Sequence, residues 1–498
     1  MFYGDLGLPM VFVMRRSVLI TAGLLLTLSG CGGAARSKSP GASPADGSTA
    51  RTAAAFAPPD AVGIEFGDTS SASFKALRAI STRTVAKPGP DFITSFDGLL
   101  FAQGLSLDGV PNADELGQAR TGLTAIILLP ATDPVKAYDS ILSYDGIADR
   151  GAAVRYLEHD YRASAHDGSF QIYAPKKPET TWFFALSDTA LLGASSLERL
   201  HDAITRGAGD SPSLADDAAF GSEIARTLPD AAATIWTRSM HLAEALARFR
   251  FSSYGSTAIF ETLAGLGDVT LSVSAPSNAV KLQVVSASVN PDFGLGDPYE
   301  PKLPGASNDV ACGFVDFRNL GPMLRGIGKL RLGAPEDTPF PIGTIEAATG
   351  ASFDSEIAPL ISGEVLAAAA ECKNALAGSL TLAPPDPDAS MATINRIHAG
   401  LDRSDGLQRV EIDRVGSSIV LREEPGDASG GLGKLGPDFE SLRKEAPKLV
   451  TSLAYLGLAN ARATDVGVAA LQRATGVLVW TEHAGDGLAL TLVAQFPR

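Results

Sequence analysis

One short pattern returns three times along this chain and restricts its architecture more than any other feature. A Pro or Asn-Asp turn leads into a short apolar strand, and the strand into a short helix. The copies are PPDAVGIEFG with SFKALRAI, LPDAAATIWT with HLAEALARF, and SNDVACGFVD with LGPMLRGIG. The turn residue presets the backbone that enters the strand. The strand residues alternate or run apolar, as half-buried or buried strands do. Self-similarity of this kind points to repeated structural units.

A longer unit is expected twice, from about Ala125 to Val289 and from about Leu380 to Phe496. Each copy opens on a strand, IILLP or SLTLAPP. Each then has an Asp-Pro helix start, DPVKAYDSIL or DPDASMATINRI. Asp caps the first turn, and Pro at the first helical position loses no hydrogen bond. Strands are expected over AVRYLEHDYRASA, SFQIYAPK and TTWFFALSDTALLGASS, with a hairpin turn at Ser187-Asp188, and in the second copy over LQRVEIDRV and SSIVLREE. A helix follows, in DDAAFGSEIARTLPDAAATIW and in GPDFESLRKEAPKLVTSLAYL. Each copy closes on a hairpin, turning at Pro276-Ser277-Asn278 and at Gly485-Asp486-Gly487. Strands come in neighbouring groups rather than in alternation with helices. The expected class is α+β: two related modules of mainly antiparallel sheet packed with helices, at 57–298 and 299–498.

The N-terminus reads as an export signal. Arg15-Arg16 precede an apolar run from Ser17 to Gly30, 14 residues long. A spanning helix needs roughly 20 apolar residues, so this is a cleavable signal core. It ends in Leu28-Ser29-Gly30-Cys31, a lipobox. Residues 1–30 would be removed, and the Cys31 thiol would take a diacylglycerol and further acyl chains such as palmitate. Two or more chains hold stably, at about 0.8 kcal/mol per buried methylene. The acidic residue Asp5 and the patch MVFVM are foreign to such a signal, and translation from Met14 would account for them. Residues 31–56, rich in Ala, Ser, Gly and Pro, read as a flexible, disordered tether. The expected location is the cell membrane, lipid-anchored on its extracytoplasmic side.

Cleavage leaves 39 basic and 55 acidic residues, a balance of −16, without a Lys/Arg cluster. Nucleic acid is therefore not an expected partner. Cys312 and Cys372 are the remaining cysteines. In an oxidising compartment they form a disulfide or stay as two buried thiols. A bridge closing a loop of about 60 residues would contribute about 4 kcal/mol in the chain-entropy account.

The stretch FALSDTALLGASSLERLHDAI, followed by SLADDAAFGSEIARTLPDAAATIW, resembles a family of secreted or lipid-anchored bacterial proteins carrying a domain of unknown function. TGASFDSEIAPLISGEV is similar to the entry of one of its modules, a short helix before a strand. The resemblance is best over 181–290 and extends more weakly over 57–498. It implies the architecture and location above and no catalytic residues.

A search for chemistry finds no nucleophile elbow, phosphate loop, His-Glu-x-x-His or calcium-loop pattern. Three histidines precede aspartates: His159-Asp160, His166-Asp167 and His201-Asp202. A metal reading would recruit Glu158, His159 and His166, but on one continuous strand 159 and 166 face opposite sides. Ser441-x-x-Lys444 matches a penicillin-recognition motif without its Lys-Thr-Gly companion, and reads as an exposed helix face. Asn290, Asp292, Asp297 and Glu300 crowd an oxygen-rich loop that suits a linker better than a calcium site. Trp182, Trp236 and Trp480 lie in apolar strands and read as core. No catalytic residue, metal site or cofactor is expected.

The expected function is therefore that of a non-catalytic lipoprotein binding a protein or envelope component. The alternative is a carrier of lipid or another small apolar ligand, with a pocket lined by residues such as Phe183, Ile235 and Val284. A hydrolase would need a perturbed carboxylate or histidine in a cleft. The disulfide reading predicts that unreduced peptide mapping recovers the Cys312 and Cys372 peptides as one linked species. Alkylation of both as free thiols would establish the alternative.

Overall fold

A computed structural model describes residues 48–68, 70–84, 122–130, 138–177, 182–238, 267–288, 297–306, 313–329, 342–369, 378–401, 410–423, 435, 437–458 and 474–497. The chain packs as two compact units. The described residues up to 285 belong to the N-terminal one and those from 286 onward to the C-terminal one. Both combine antiparallel sheet with helices, so the class is α+β.

The N-terminal unit is built around β1 (Gly63–Asp68). It is hydrogen-bonded on one side to β2 (Leu123–Pro130) and on the other to β8 (Ala233–Thr237), antiparallel to each. Beyond β8 come β9 (Val269–Ser274) and β10 (Ala279–Ser286). Beyond β2 come β3 (Tyr138–Asp145) and β7 (Ala190–Ala194), then β6 (Phe183–Leu186), β5 (Phe170–Pro175) and β4 (Tyr161–Asp167). Side chains alternate across the sheet and feed two cores. One holds Ile64, Phe66, Ala125, Ile127 and Trp236 under α1 (Ser48–Ala54), α4 (Leu197–Gly207) and α5 (Ala218–Ile224). The other holds Leu142, Tyr144, Tyr173, Trp182 and Phe184 against α3 (Arg150–Asp160). Helix α2 (Ala72–Thr84) follows β1.

The C-terminal unit repeats this order. Its central strand β11 (Gly313–Arg318) pairs with β12 (Glu364–Ala369) and with β16 (Ser452–Gly457). Next to β12 lie β13 (Gly378–Ala383), β15 (Ser418–Glu423) and β14 (Val410–Val415). Next to β16 lie β17 (Gly476–Ala484) and β18 (Gly487–Gln495). Helices α6 (Leu320–Lys329), α7 (Ile342–Thr349) and α8 (Pro387–Leu401) supply a core with Phe353, Val365, Leu382 and Ile419. Helix α9 (Pro437–Arg443) covers the opposite face through Phe439, which meets Phe314 and Tyr455 edge-on. Gly63 and Gly313 hold matching places, each the first residue of its central strand and cross-paired on both sides. The hairpin β4–β5 adds two strands at the far edge of the N-terminal sheet, where the C-terminal sheet ends on β14.

The three short repeats therefore supply β1, β8 and β11. Two of their helices are α2 and α6, and the third, HLAEALARF, lies outside the described residues. The expected helix at Pro387 forms, with Asp386 Oδ1 accepting the amides of Asp388 and Ala389 at 3.1 and 3.0 Å. Both closing hairpins and the Ser187-Asp188 turn also form. In that turn the Ser187 hydroxyl accepts the Ala190 amide at 2.9 Å.

Three expectations are corrected. Tyr138–Asp145, part of the expected helix DPVKAYDSIL, is strand β3, because Ile141 and Leu142 are both buried, one on each face. The start of the expected strand AVRYLEHDYRASA is helix α3. Asp149 caps it by accepting the Ala152 amide at 2.9 Å, and Ala153 and Leu157 bury at helical spacing. The matching strand of IILLP is thus β12, one strand earlier than SLTLAPP. Finally, the tether does not run to residue 56. Ser48–Ala54 is helix α1, with Ala50, Ala53 and Ala54 buried, because alanine lets a helix lie close on a sheet.

In the first core the Phe220 ring meets Trp236 edge-on, centroids 5.2 Å apart, and is 1% exposed. Phe220→Ala is expected to cost about 3–5 kcal/mol. Denaturant unfolding followed by tryptophan fluorescence would measure it, and a loss below about 1 kcal/mol would contradict this role for the ring.

Candidate functional site

The main buried acidic cluster among the described residues sits at the centre of the C-terminal sheet. Along β11, Phe314 and Asp316 point to the face covered by α9, and Val315 and Phe317 point away. Asp316 lies between Leu366 on β12 and Leu453 on β16 and has no solvent exposure. The segment 297–306 approaches this face. Tyr299 exchanges two backbone hydrogen bonds with Val450, both 2.9 Å. Its hydroxyl donates to Asp316 Oδ1 at 2.7 Å. Glu364, the first residue of β12, accepts the amides of Lys302 and Leu303 through Oε1 at 2.7 and 2.8 Å. Pro301 and Pro304, which carry no N–H, flank these two donors. Glu300 pairs with Lys448 at 3.3 Å on the exposed side.

Burial pushes the Asp316 carboxyl up to about 9, and the negative charge of Glu364 adds to that push. The Tyr299 hydrogen bond works against it without reversing it. Burial also raises Tyr299, followed by the charge of Asp316. At neutral pH Asp316 is therefore a carboxylic acid. As a carboxylate its Oδ2 would be buried without a hydrogen-bond partner among the described residues. In the N-terminal sheet the matching positions are Phe66 and Leu123, both apolar. The fold itself does not require an acid there.

The sequence-chosen residues are placed as follows. Cys31, Cys312, Cys372, Asn290 and Asp292 lie outside the described residues. Glu158 and His159 end helix α3, and His166 lies on β4, so 154–166 is not one strand. His159 pairs with its neighbour Asp160 at 3.0 Å, and that contact lowers the Asp160 carboxyl. His201 pairs with Asp167 rather than with Asp202, which pairs with Arg206 at 3.5 Å. Among the described residues no group of three His, Cys, Asp or Glu side chains could hold a metal. Ser441 and Lys444 are exposed at α9. Trp182, Trp236 and Trp480 are 3, 1 and 2% exposed, and Trp236 donates to the half-buried Glu223 at 2.5 Å.

Phe183 packs against the core that contains Trp236, whereas Ile235, next to Trp236 on β8, faces the other side of the sheet. The two do not line one pocket. Asp316 is a perturbed carboxylate of the kind a hydrolase would need, and it has no solvent exposure. Sequence reasoning missed it because Asp316 in GFVDFR reads as an ordinary polar residue on a half-buried strand.

No family model matches the chain, and no curated protein matches it. Among solved structures, one crystal form of TP0453 aligns with a TM-score of 0.28 and 10% identity, covering 51% of this chain and 81% of that one. A second aligns at 0.27 and 9%, covering 48% and 81%. Likeness at that level carries no functional argument.

Because the folded state holds a proton on Asp316 that the unfolded state releases above its ordinary value of 3.8, stability is fully present below about pH 4. It declines as pH rises toward 9. Asp316→Asn, which keeps the acceptor and a donor, is expected to flatten that decline by up to about 1.4 kcal/mol per pH unit. Thermal melts of both proteins between pH 5 and 8 check this, and parallel curves would refute it.

Proposed function

We propose that this chain is a lipoprotein anchored on the extracytoplasmic side of the cell membrane. Residues 1–30 are its signal peptide, Cys31 carries the lipid, and the residues after it form a tether. Two related α+β modules, the first beginning with α1 at residue 48, then act as a non-catalytic platform that binds a protein or another component of the envelope. The observation that carries this is the ordered sequence Arg15-Arg16, a 14-residue apolar core and Leu28-Ser29-Gly30-Cys31. No helix among the described residues is long and apolar enough to cross a membrane, so lipid on Cys31 supplies the attachment in this reading.

The recurrence of one strand order in both units supports their relation by duplication. Apolar cores occupy both faces of each sheet, which leaves the outer helical surfaces and loops as the places where a partner would bind. The expected result of detergent-phase partitioning is that the parent enters the detergent-rich phase and Cys31→Ala stays in the aqueous phase. Equal partitioning of the two would remove the anchor, and with it this placement.

A further inference from the structure

Segment 297–306 is attached to the C-terminal sheet by a small set of polar contacts concentrated on two acids. Glu364 accepts two of its amides, Asp316 accepts its tyrosine hydroxyl, and Val450 takes and gives one backbone bond each. Asp316 is fully buried, and the half-buried Glu364 stands on the same face of the sheet beside it. A buried carboxyl beside a second acid keeps its proton to a higher pH than one in water. We infer that the Tyr299–Asp316–Glu364 cluster is a proton-dependent clasp, which holds segment 297–306 to the sheet while Asp316 keeps its proton and lets it detach when that proton leaves to solvent.

The charged groups around the pair allow this. On β12 and β16 the residues cross-paired with Asp316 are Leu366 and Leu453, neither of which can balance a second negative charge. Arg318, two residues further along β11, acts on Tyr299 and is exposed. From the segment 445–450, Lys448 is engaged with Glu300. Arg443 of α9 feels Glu300, and its guanidinium donates to the carbonyls of Ala446 and Pro447 at 3.2 and 2.9 Å. Lys302 offers only its backbone amide to the cluster, and its side chain is exposed. Loss of that proton therefore leaves a fully buried anion at Asp316 beside the Glu364 carboxylate, with the Tyr299 phenol as its donor. Detachment lets water reach both.

Closed, the clasp holds one more proton than open across the range from about pH 4 to 9, the ordinary and raised positions of Asp316. Opening should then become up to about tenfold more frequent for each pH unit in that range. Amide hydrogen exchange of the full chain, read by mass spectrometry on a peptide containing Lys302 and Leu303, tests this. After division by the intrinsic exchange rate, protection is expected to fall by about tenfold per unit between about pH 5 and 8. Asp316→Asn should abolish that slope. Glu364→Gln should end the slope at a lower pH without abolishing it, because burial alone still raises Asp316. Peptides from β17 and β18 should stay more strongly protected than the segment at every pH in the parent. The inference is overturned if well-folded Asp316→Asn keeps the parent slope, or if β17 and β18 are no better protected than the segment, which would mean exchange through global unfolding.

Discussion

Each unit depends on one central strand that is hydrogen-bonded along both edges. β1 is held between β2 and β8, and β11 between β12 and β16. A strand in that position has no free edge, and most of its residues are buried or half-buried. It fixes the register of its neighbours, since a slip of one residue would exchange the two cores. The glycines that open these strands fit this constraint. A Cβ on Gly313 would come within 2.8 Å of the Tyr455 carbonyl oxygen on β16, and one on Gly63 within 3.1 Å of the Trp236 carbonyl oxygen on β8. Close backbone approach at the start of the strand admits no side chain.

The outer parts of each sheet carry less of this burden. β14 is mostly exposed, and Val415 is more than half exposed. Its charged residues are paired across the surface: Asp413 with Arg422 at 2.6 Å, and Arg414 with Asp388 of α8. Such exposed pairs contribute about 0–1 kcal/mol each. Their more evident effect is to place charge along an edge strand, which discourages pairing with a foreign strand. β4, the last strand of the N-terminal sheet, is similarly exposed and contains a register shift between Ala163 and Ala165 that interrupts its ladder.

The two units diverge most informatively at the middle of the central strand. Where the N-terminal sheet carries Phe66 opposite Ala125, the C-terminal one carries Asp316 opposite Leu366. Replacing an aromatic ring by an acid in a sealed core is unfavourable unless the acid stays protonated and fully bonded. Tyr299 and Glu364 meet that condition, and both come from parts of the chain adjoining segment 297–306 or contacting it. The second unit thus has a polar fastening where the first has apolar packing with α1 and α4.

Much of this was readable from the residues alone, because turns, hairpins and helix caps are local. Pro and Asp before Gly63, Ala233 and Ala389, Ser187 in the hairpin, and Gly485 with its positive φ of 64° act within a few positions. The export signal is likewise a contiguous string of charge, apolar run and cysteine. Tertiary packing decided the rest. It made Tyr138–Asp145 a strand despite a helix-start signal, because a place between β2 and β7 buries both faces. It made Arg150–Asp160 a helix because Ala153 and Leu157 meet the second core on one side only. It joined Tyr299, Asp316 and Glu364 across 65 positions of sequence. Local pattern encodes elements through hydrogen bonds near in sequence. Which elements share a core, and which acid is kept from water, depends on contacts that exist only once the chain has closed on itself.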